Sequence, residues 1–304
     1  MHEVVTRHEK NFQIILAVVM VLIMIITVYP VWYSVINSLN DAQSIDRFGY
    51  SLLWMRKFSF SSWYAVLRDN QILRALGITT ARTVIVTVLQ TIITAMFAYG
   101  FSRPNLTGRK WYTTLGFISM YLNGGIIAYF ILFVQLHIYN TFWVYILPFL
   151  FGGFYNVIIY NANFKAIPES LFESAKLDGA SEYQIFFKIV VPLSKPVVSA
   201  LGIFTAVAMW NDYTQTLYYT QNAKLQTLSY YALTLTKSSQ AASQLGNSMN
   251  TAAANTVGAA MQKSADFRTI ELATMVLAAL PLIIVYPFAQ KFFEKGVLLG
   301  SVKG

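Results

Sequence analysis

The feature that constrains this chain most is a series of apolar runs, each long enough to cross a bilayer. A hydrocarbon core about 30 Å thick needs about 20 helical residues at 1.5 Å each. Six stretches meet that length: 12–36, 78–101, 111–136, 141–164, 197–220 and 270–293. The expected fold class is therefore an all-α polytopic membrane protein with six transmembrane helices in one domain. Arg7 and Lys10 precede the first run as they would a signal peptide. That run exceeds the usual apolar region of a signal and no small-x-small cleavage site follows it, so it reads as a retained helix. The second run contains Arg82, Gln90 and several threonines, which at membrane depth must face other helices or snorkel to an interface. Pro148, Pro281 and Pro287 fall inside other runs and are expected to kink them.

Composition narrows the function classes. Of the 304 residues 56% are hydrophobic and 12% charged, half the roughly 25% charged content of soluble domains. A formal charge of +9 invites thoughts of nucleic acid, but the basic residues form no block and alternate with apolar runs, as suits a membrane surface. There is no cysteine, which removes disulfides, thiol nucleophiles and cysteine metal sites. His2, His8 and His137 are scattered, so no metal site is expected. No Gly-Lys dipeptide occurs, hence no P-loop. Any ATP chemistry belongs to another subunit, and the chain is expected to carry neither catalytic residues nor a cofactor of its own.

Orientation follows from the basic residues in short connections. With the N-terminus inside, the inner segments hold Arg7 and Lys10; Arg103, Arg109 and Lys110; Lys165, Lys176, Lys188 and Lys195; and Lys291, Lys295 and Lys303. The short outer turn at His137 to Asn140 holds none. The two long outer segments, 37–77 and 221–269, do hold basic residues, but long loops translocate largely regardless of charge. Both termini are thus expected on the cytoplasmic side of the cell membrane, together with the polar segment 167–196.

That segment is built as an elbow. Pro168 and Glu169 suit a first helical turn. Leu171, Phe172 and Ala175 follow at helical spacing, and Gly179 suits a left-handed cap. Ser181 and Gln184 have capping-box spacing for a second helix with the stripe Ile185, Phe186, Ile189 and Val190, which Pro192 is expected to end. The product is a cytoplasmic helix–turn–helix with a small-residue surface at Ala175 and Gly179 and an exposed acid at Glu173. Two readings fit these residues: a docking piece for a partner that approaches closely, or an amphipathic loop resting on lipid headgroups.

The pattern Glu173-Ser174-Ala175, then Gly179, then nine residues, then Ile189-Val190-Val191-Pro192 resembles the coupling motif of ATP-binding-cassette (ABC) importer permeases, with Ser174 and Val191 as departures. "WNDY" at Trp210 to Tyr213 and the tail "GSVKG" at Gly300 to Gly304 look like the MalG-type carbohydrate branch. The Ser/Ala/Asn-rich segment from Ser238 to Gln262 is similar to LplC/YtcP-type oligosaccharide permeases within it. The resemblance implies a type I importer permease fold that pairs with a second homologous permease, two ATPase subunits holding ATP and Mg, and an extracellular solute-binding protein. It implies ATPase coupling through Glu173, Ser174, Ala175, Asp178, Gly179, Ile189 and Pro192, and a tail contact with the ATPases through Gly300, Val302, Lys303 and Gly304. The same machine for glycerol phosphate or peptide is the nearest alternative. An ion-coupled secondary transporter is further off, since no clear internal repeat is seen.

A substrate path needs polar groups at membrane depth. Asn211 and Asp212 fall about 21 Å along the fifth run, flanked by Trp210 and Tyr213. These four are candidate lining for a sugar; interfacial aromatics with a structural Asn/Asp contact is the other reading. Asn123 beside Gly124 and Gly125 is a further path candidate, or simply part of a close helix approach. In the last outer segment Lys224, Lys237, Lys263 and Arg268 outnumber Asp266 and Glu271, which would suit an acidic oligosaccharide.

Overall fold

The structure, a computed structural model, describes residues 7–248, 267–287 and 290. These are overwhelmingly helical; the β pairing among them is an isolated bridge between Asn40 and Phe58. The chain divides into two compact units, residues 1–69 with 234–279 and residues 70–233 with 280–304.

In the first unit, α1 (Arg7–Ser38) is followed by the short helices α2 (Ala42–Phe48) and α3 (Ser61–Arg68). From Lys10 to Trp32 the side chains of α1 are exposed all round, an apolar surface suited to lipid. Its last turn is polar and buried. The Asn37 amide donates to the Ser51 carbonyl and accepts from the Ser51 N–H, both at 2.9 Å. Asn40 donates to Ser51 Oγ at 3.0 Å and accepts from the Lys57 N–H at 3.2 Å. Two asparagines thus fasten the loop after α2 to the end of α1.

The second unit is arranged around α4 (Asn70–Ser102), 33 residues without a break. It is followed by α5 (Arg109–Tyr121), α6 (Gly125–Gln135), 3₁₀ turns at Phe142–Tyr145 and Leu147–Phe149, and α7 (Gly153–Lys165). Next come α8 (Glu169–Leu177), α9 (Glu182–Leu193), α10 (Lys195–Asn211) and α11 (Thr214–Tyr219). The helices α12 (Leu228–Ser248) and α13 (Phe267–Pro287) run across the boundary between the units.

Several expected runs are interrupted. Among the described residues three helices are long and apolar enough to cross a membrane alone, and up to six cross if each bent pair is one span. The third run bends by 111° between α5 and α6, where Gly125 adopts φ +72° and its N–H donates to Asn123 Oδ1 at 2.9 Å. The fourth bends by 46° at Gly152-Gly153. A Cβ at Gly152 would sit 2.7 Å from Asn156 Nδ2 and 3.1 Å from Thr94 Oγ1, so glycine is what lets the chain pass so close to α4. The fifth run stops at Asn211 and resumes as α11. The second is longer than expected, since α4 starts at Asn70, and most of the polar outer segment up to Ser248 is helix.

Pro192 does not end the second elbow helix. α9 passes through a π turn at Phe186–Val190 and remains helical to Leu193. The wider turn accommodates a proline that lacks an N–H and crowds the carbonyl before it. The break falls at Ser194, where α10 departs at 85°.

Candidate functional site

The elbow lies outside the apolar runs yet shares their core. α8 ends in a paired C-terminal cap: the Ala180 N–H donates to the Ala175 carbonyl at 2.9 Å and the Gly179 N–H to the Lys176 carbonyl at 3.0 Å. Gly179 supplies the left-handed residue that this cap requires, at φ +75°. α9 starts two residues later with a complete capping box, Gln184 N–H to Ser181 Oγ at 3.3 Å and Ser181 N–H to Gln184 Oε1 at 2.8 Å. Cap and box together leave little freedom in the angle between the two helices.

The apolar stripe of the elbow is buried within the chain. Phe172, Ile185, Phe186 and Val190 pack in one cluster with Ala95, Ala98 and Tyr99 of α4, Tyr160 and Phe164 of α7, and Leu201 of α10. At about 1.5–3 kcal/mol for each large side chain, burial of those four contributes about 6–12 kcal/mol as an upper bound. An interfacial loop would keep that stripe for lipid; here it is already covered. Ala175 belongs to the same cluster and is buried, so the small-residue surface expected at Ala175 and Gly179 reduces to Gly179. The alanine is small because α8 approaches its own core closely.

What the elbow turns outward is Glu173, Ser174, Leu177, Asp178 and Gly179, all exposed, with Leu177 at 89%. Ile189 is half-buried against the cluster and Pro192 is exposed.

Sequence reasoning missed the polar fastening behind the elbow. Tyr99 of α4 donates its hydroxyl to Glu182 Oε2, and Lys176 Nζ lies 2.9 Å from Glu182 Oε1. The Tyr99 hydroxyl first, and Lys176 with it, hold the Glu182 carboxyl below its usual range. The Arg103 guanidinium lies 3.8 Å from the Phe172 ring centre, 4.8 Å from that of Tyr99 and 3.8 Å from Glu169 Oε1. Helix α4 and the elbow are therefore joined by apolar packing, cation–π contact and charge at one place.

A second constellation lies along α4, at Thr79, Arg82, Gln90 and Thr94, all buried. Each reaches a backbone group at the end of a neighbouring helix or turn. Thr79 Oγ1 accepts from the Leu228 N–H at 2.8 Å, and Gln90 donates to the Phe149 carbonyl at 2.9 Å. Gln90 also accepts from Thr205 Oγ1 at 2.6 Å, and Thr94 Oγ1 accepts from the Gly152 N–H at 2.8 Å. Arg82 donates to the Asp212 carbonyl at 3.2 Å and forms an ion pair with its carboxylate. The guanidinium lies 5.0 Å from the Tyr145 ring centre and 5.4 Å from that of Phe149. Broken helices at membrane depth persist only where neighbours satisfy the freed groups, and α4 does so before α7 and between α10 and α11.

Four of the expected path residues, Trp210 to Tyr213, lie at the break between α10 and α11. Asp212 pairs with Arg82 and accepts from the Thr214 N–H at 2.9 Å and from its hydroxyl, so it closes the gap between α10 and α11. Asn211 is exposed and donates to the Val207 carbonyl at 3.1 Å. Trp210 is buried and Tyr213 exposed. Asn123 is exposed and caps Gly125, remote in role from the other four. The expected tail residues Gly300, Val302, Lys303 and Gly304 lie outside the described residues.

Residues 90–299 match the family described as the binding-protein-dependent transport system inner membrane component. Two relatives from Bacillus subtilis (strain 168) extend the match. Protein LplC is 33% identical over 279 residues, covering 92% of this chain and 90% of its own. The polygalacturonan/rhamnogalacturonan transport system permease protein YtcP is 36% identical over 251 residues, covering 81% and 82%. A solved chain of a bacterial ABC transporter involved in the import of the acidic polysaccharide alginate is similar at a TM-score of 0.82 and 25% identity, covering 95% of this chain and 98% of that one. The chain belongs to the binding-protein-dependent inner membrane components. It has the fold of a type I ABC permease and is a membrane transport subunit rather than an enzyme.

Proposed function

We propose that this chain forms half of the membrane path of an ATP-driven importer for an oligosaccharide, one that carries acidic sugar units. A second, homologous permease forms the other half, two separate ATPase subunits bind ATP and Mg, and an extracellular binding protein delivers the sugar. The elbow carries this reading. It presents Glu173, Leu177, Asp178 and Gly179 outward on a base continuous with α4, α7 and α10, so a push on it is transmitted through packed side chains rather than a flexible link. Closure of the ATPases on ATP then moves the spans as a body, opening the path outward; hydrolysis reverses the movement.

The termini and the elbow lie in the cytosol in this reading, and the segment between α1 and α4 lies outside. The carbohydrate class is supported by the names of the relatives, with polygalacturonan, rhamnogalacturonan and alginate indicating acidic units. Tyr213, exposed beside the pinned Asp212, is assigned to the sugar path. The tail from Gly300 to Gly304 is assigned to a contact with the ATPases.

The test is reconstitution of the complete importer in proteoliposomes with Glu173→Arg or Gly179→Val in this chain. Both variants are expected to insert and assemble with the second permease, yet to lose the stimulation of ATP turnover by sugar-loaded binding protein. Unaltered stimulation and uptake in both would remove the elbow from the coupling path.

A further inference from the structure

We propose that the cleft between α2 and the loop after it is a carboxylate-binding subsite that takes one uronic-acid unit of an acidic oligosaccharide at the outer face of the membrane. Its outer location and sugar class rest on the importer reading above; the chemistry of the cleft stands on its own residues. The cleft is lined by Asp41, Gln43, Ser44, Arg47, Phe48, Arg56 and Lys57, with a volume of about 330 Å³. That is at the small end of ligand sites and suits a single sugar unit.

Among the described side chains three cations and one carboxylate line it, and that carboxylate is matched: Asp41 lies 3.2 Å from Lys57 Nζ. Arg47 and Arg56 are left as the surplus positive charge. Arg56 is also positioned in advance. Its Nη1 donates to the Gly49 carbonyl at 2.7 Å, and its guanidinium lies 5.7 Å from the Phe48 ring centre. Gly49, at φ +72°, turns the chain back so that the loop faces the helix it has just left. The Asn37, Asn40 and Ser51 bonds then hold that loop in place. A planar guanidinium fixed in this way binds a carboxylate through two parallel hydrogen bonds at little further cost in order.

The remaining lining separates a sugar acid from a protein acid. An Asp or Glu on a docking protein needs only the positive charge. Here the charge is set beside an aromatic face, Phe48 being 69% exposed, and beside the amide of Gln43 and the hydroxyl of Ser44. An apolar ring face, hydroxyls and a carboxylate on one small unit are what a uronic acid offers. No part of the coupling mechanism uses these residues.

The experiment is direct binding of trigalacturonate to the assembled importer in lipid nanodiscs without binding protein, with neutral galactotriose as control. Arg47→Gln and Arg56→Gln change exposed side chains, so both variants are expected to assemble normally. Each is expected to weaken trigalacturonate about tenfold by removing a charge-assisted hydrogen bond, and to leave galactotriose unchanged. Unchanged trigalacturonate affinity in both variants, or no saturable binding to the wild type, overturns the subsite. So does a result in which the variants weaken only the docking of the binding protein, equally with acidic or neutral sugar loaded, since the surface is then a protein contact. Binding that the variants abolish, without ATP-driven uptake of acidic sugars by the wild type, keeps the subsite and overturns the substrate class of the importer. Normal uptake of acidic sugars in both variants with no direct binding does the reverse.

Discussion

Asp212→Asn is the sharpest perturbation of the membrane part, because it removes the charge that faces a guanidinium with no exposed surface. The Arg82 side chain is 0% exposed and the Asp212 side chain 17%. Removing one partner of a buried pair costs about 3–5 kcal/mol, since the other charge stays desolvated. Two features place this case near the lower end. Asp212 keeps some contact with solvent, and Arg82 retains the Asp212 carbonyl and the Tyr145 and Phe149 ring faces. The expected loss is about 3 kcal/mol, with a similar or larger loss for Arg82→Met. Combining the two removes both charges, so the double variant is expected to cost about 2 kcal/mol less than the sum of the singles. Unfolding of the permease in bicelles, followed as a complete double-variant cycle, measures each term. Single losses under about 1 kcal/mol that simply add would mean that the pair is solvated and that α4 does not hold the break between α10 and α11.

Two substitutions on α8 separate docking from folding. Leu177→Glu, at an exposed position, is expected to change stability by no more than about 0.5 kcal/mol while abolishing sugar-stimulated ATP turnover. Phe172→Ala, in the shared core, is expected to cost about 3–5 kcal/mol, and equal stability losses in the pair would refute the inside–outside assignment. At the fourth run, Gly152→Ala places a Cβ 3.1 Å from Thr94 Oγ1 and is expected to destabilise by about 1–3 kcal/mol. Thermal unfolding at or above the wild-type temperature would show that the contact with α4 yields freely. For Glu182, a carboxyl held below its ordinary value near 4.5 stabilises the fold fully above that value, and the contribution is lost as pH falls through the lower folded-state value. Protection of the elbow from proteolysis is therefore expected to fall on acidification below about pH 4.5 in the wild type. Glu182→Gln should remove that pH step, and a step of the same size in the variant would assign it to another group.

Much of the elbow is legible in the sequence because its signals are local. The capping box at Ser181 and Gln184, the glycine at Gly179 and the stripe from Ile185 to Val190 each act within a few residues, and each has the expected geometry in the structure. Where the reading failed, the deciding term was non-local or subtle. Ala175 reads as a surface residue because smallness suits any close contact, with a partner or with the chain's own core. Pro192 reads as a stop because a π turn ending two residues earlier leaves no mark in composition. The bends at Gly125 and Gly153 sit at visible glycine pairs, but their size depends on what packs against them.

The pairing of Arg82 with Asp212 is a case where the signal was present. Within the six expected runs the charged residues are Arg82, Asp212, and Glu271 and Lys291 near the ends of the last. A lone arginine and a lone aspartate in different runs each carry a desolvation cost that the other offsets, so their complementarity is itself a contact prediction. Read separately, Arg82 was a charge that needed a neighbouring helix and Asp212 a candidate for the substrate path. Together they explain why the fifth run can break between α10 and α11, since the arginine that neutralises the acid also donates to the acid's own carbonyl. The same side chain thus makes the break affordable and fixes where it falls.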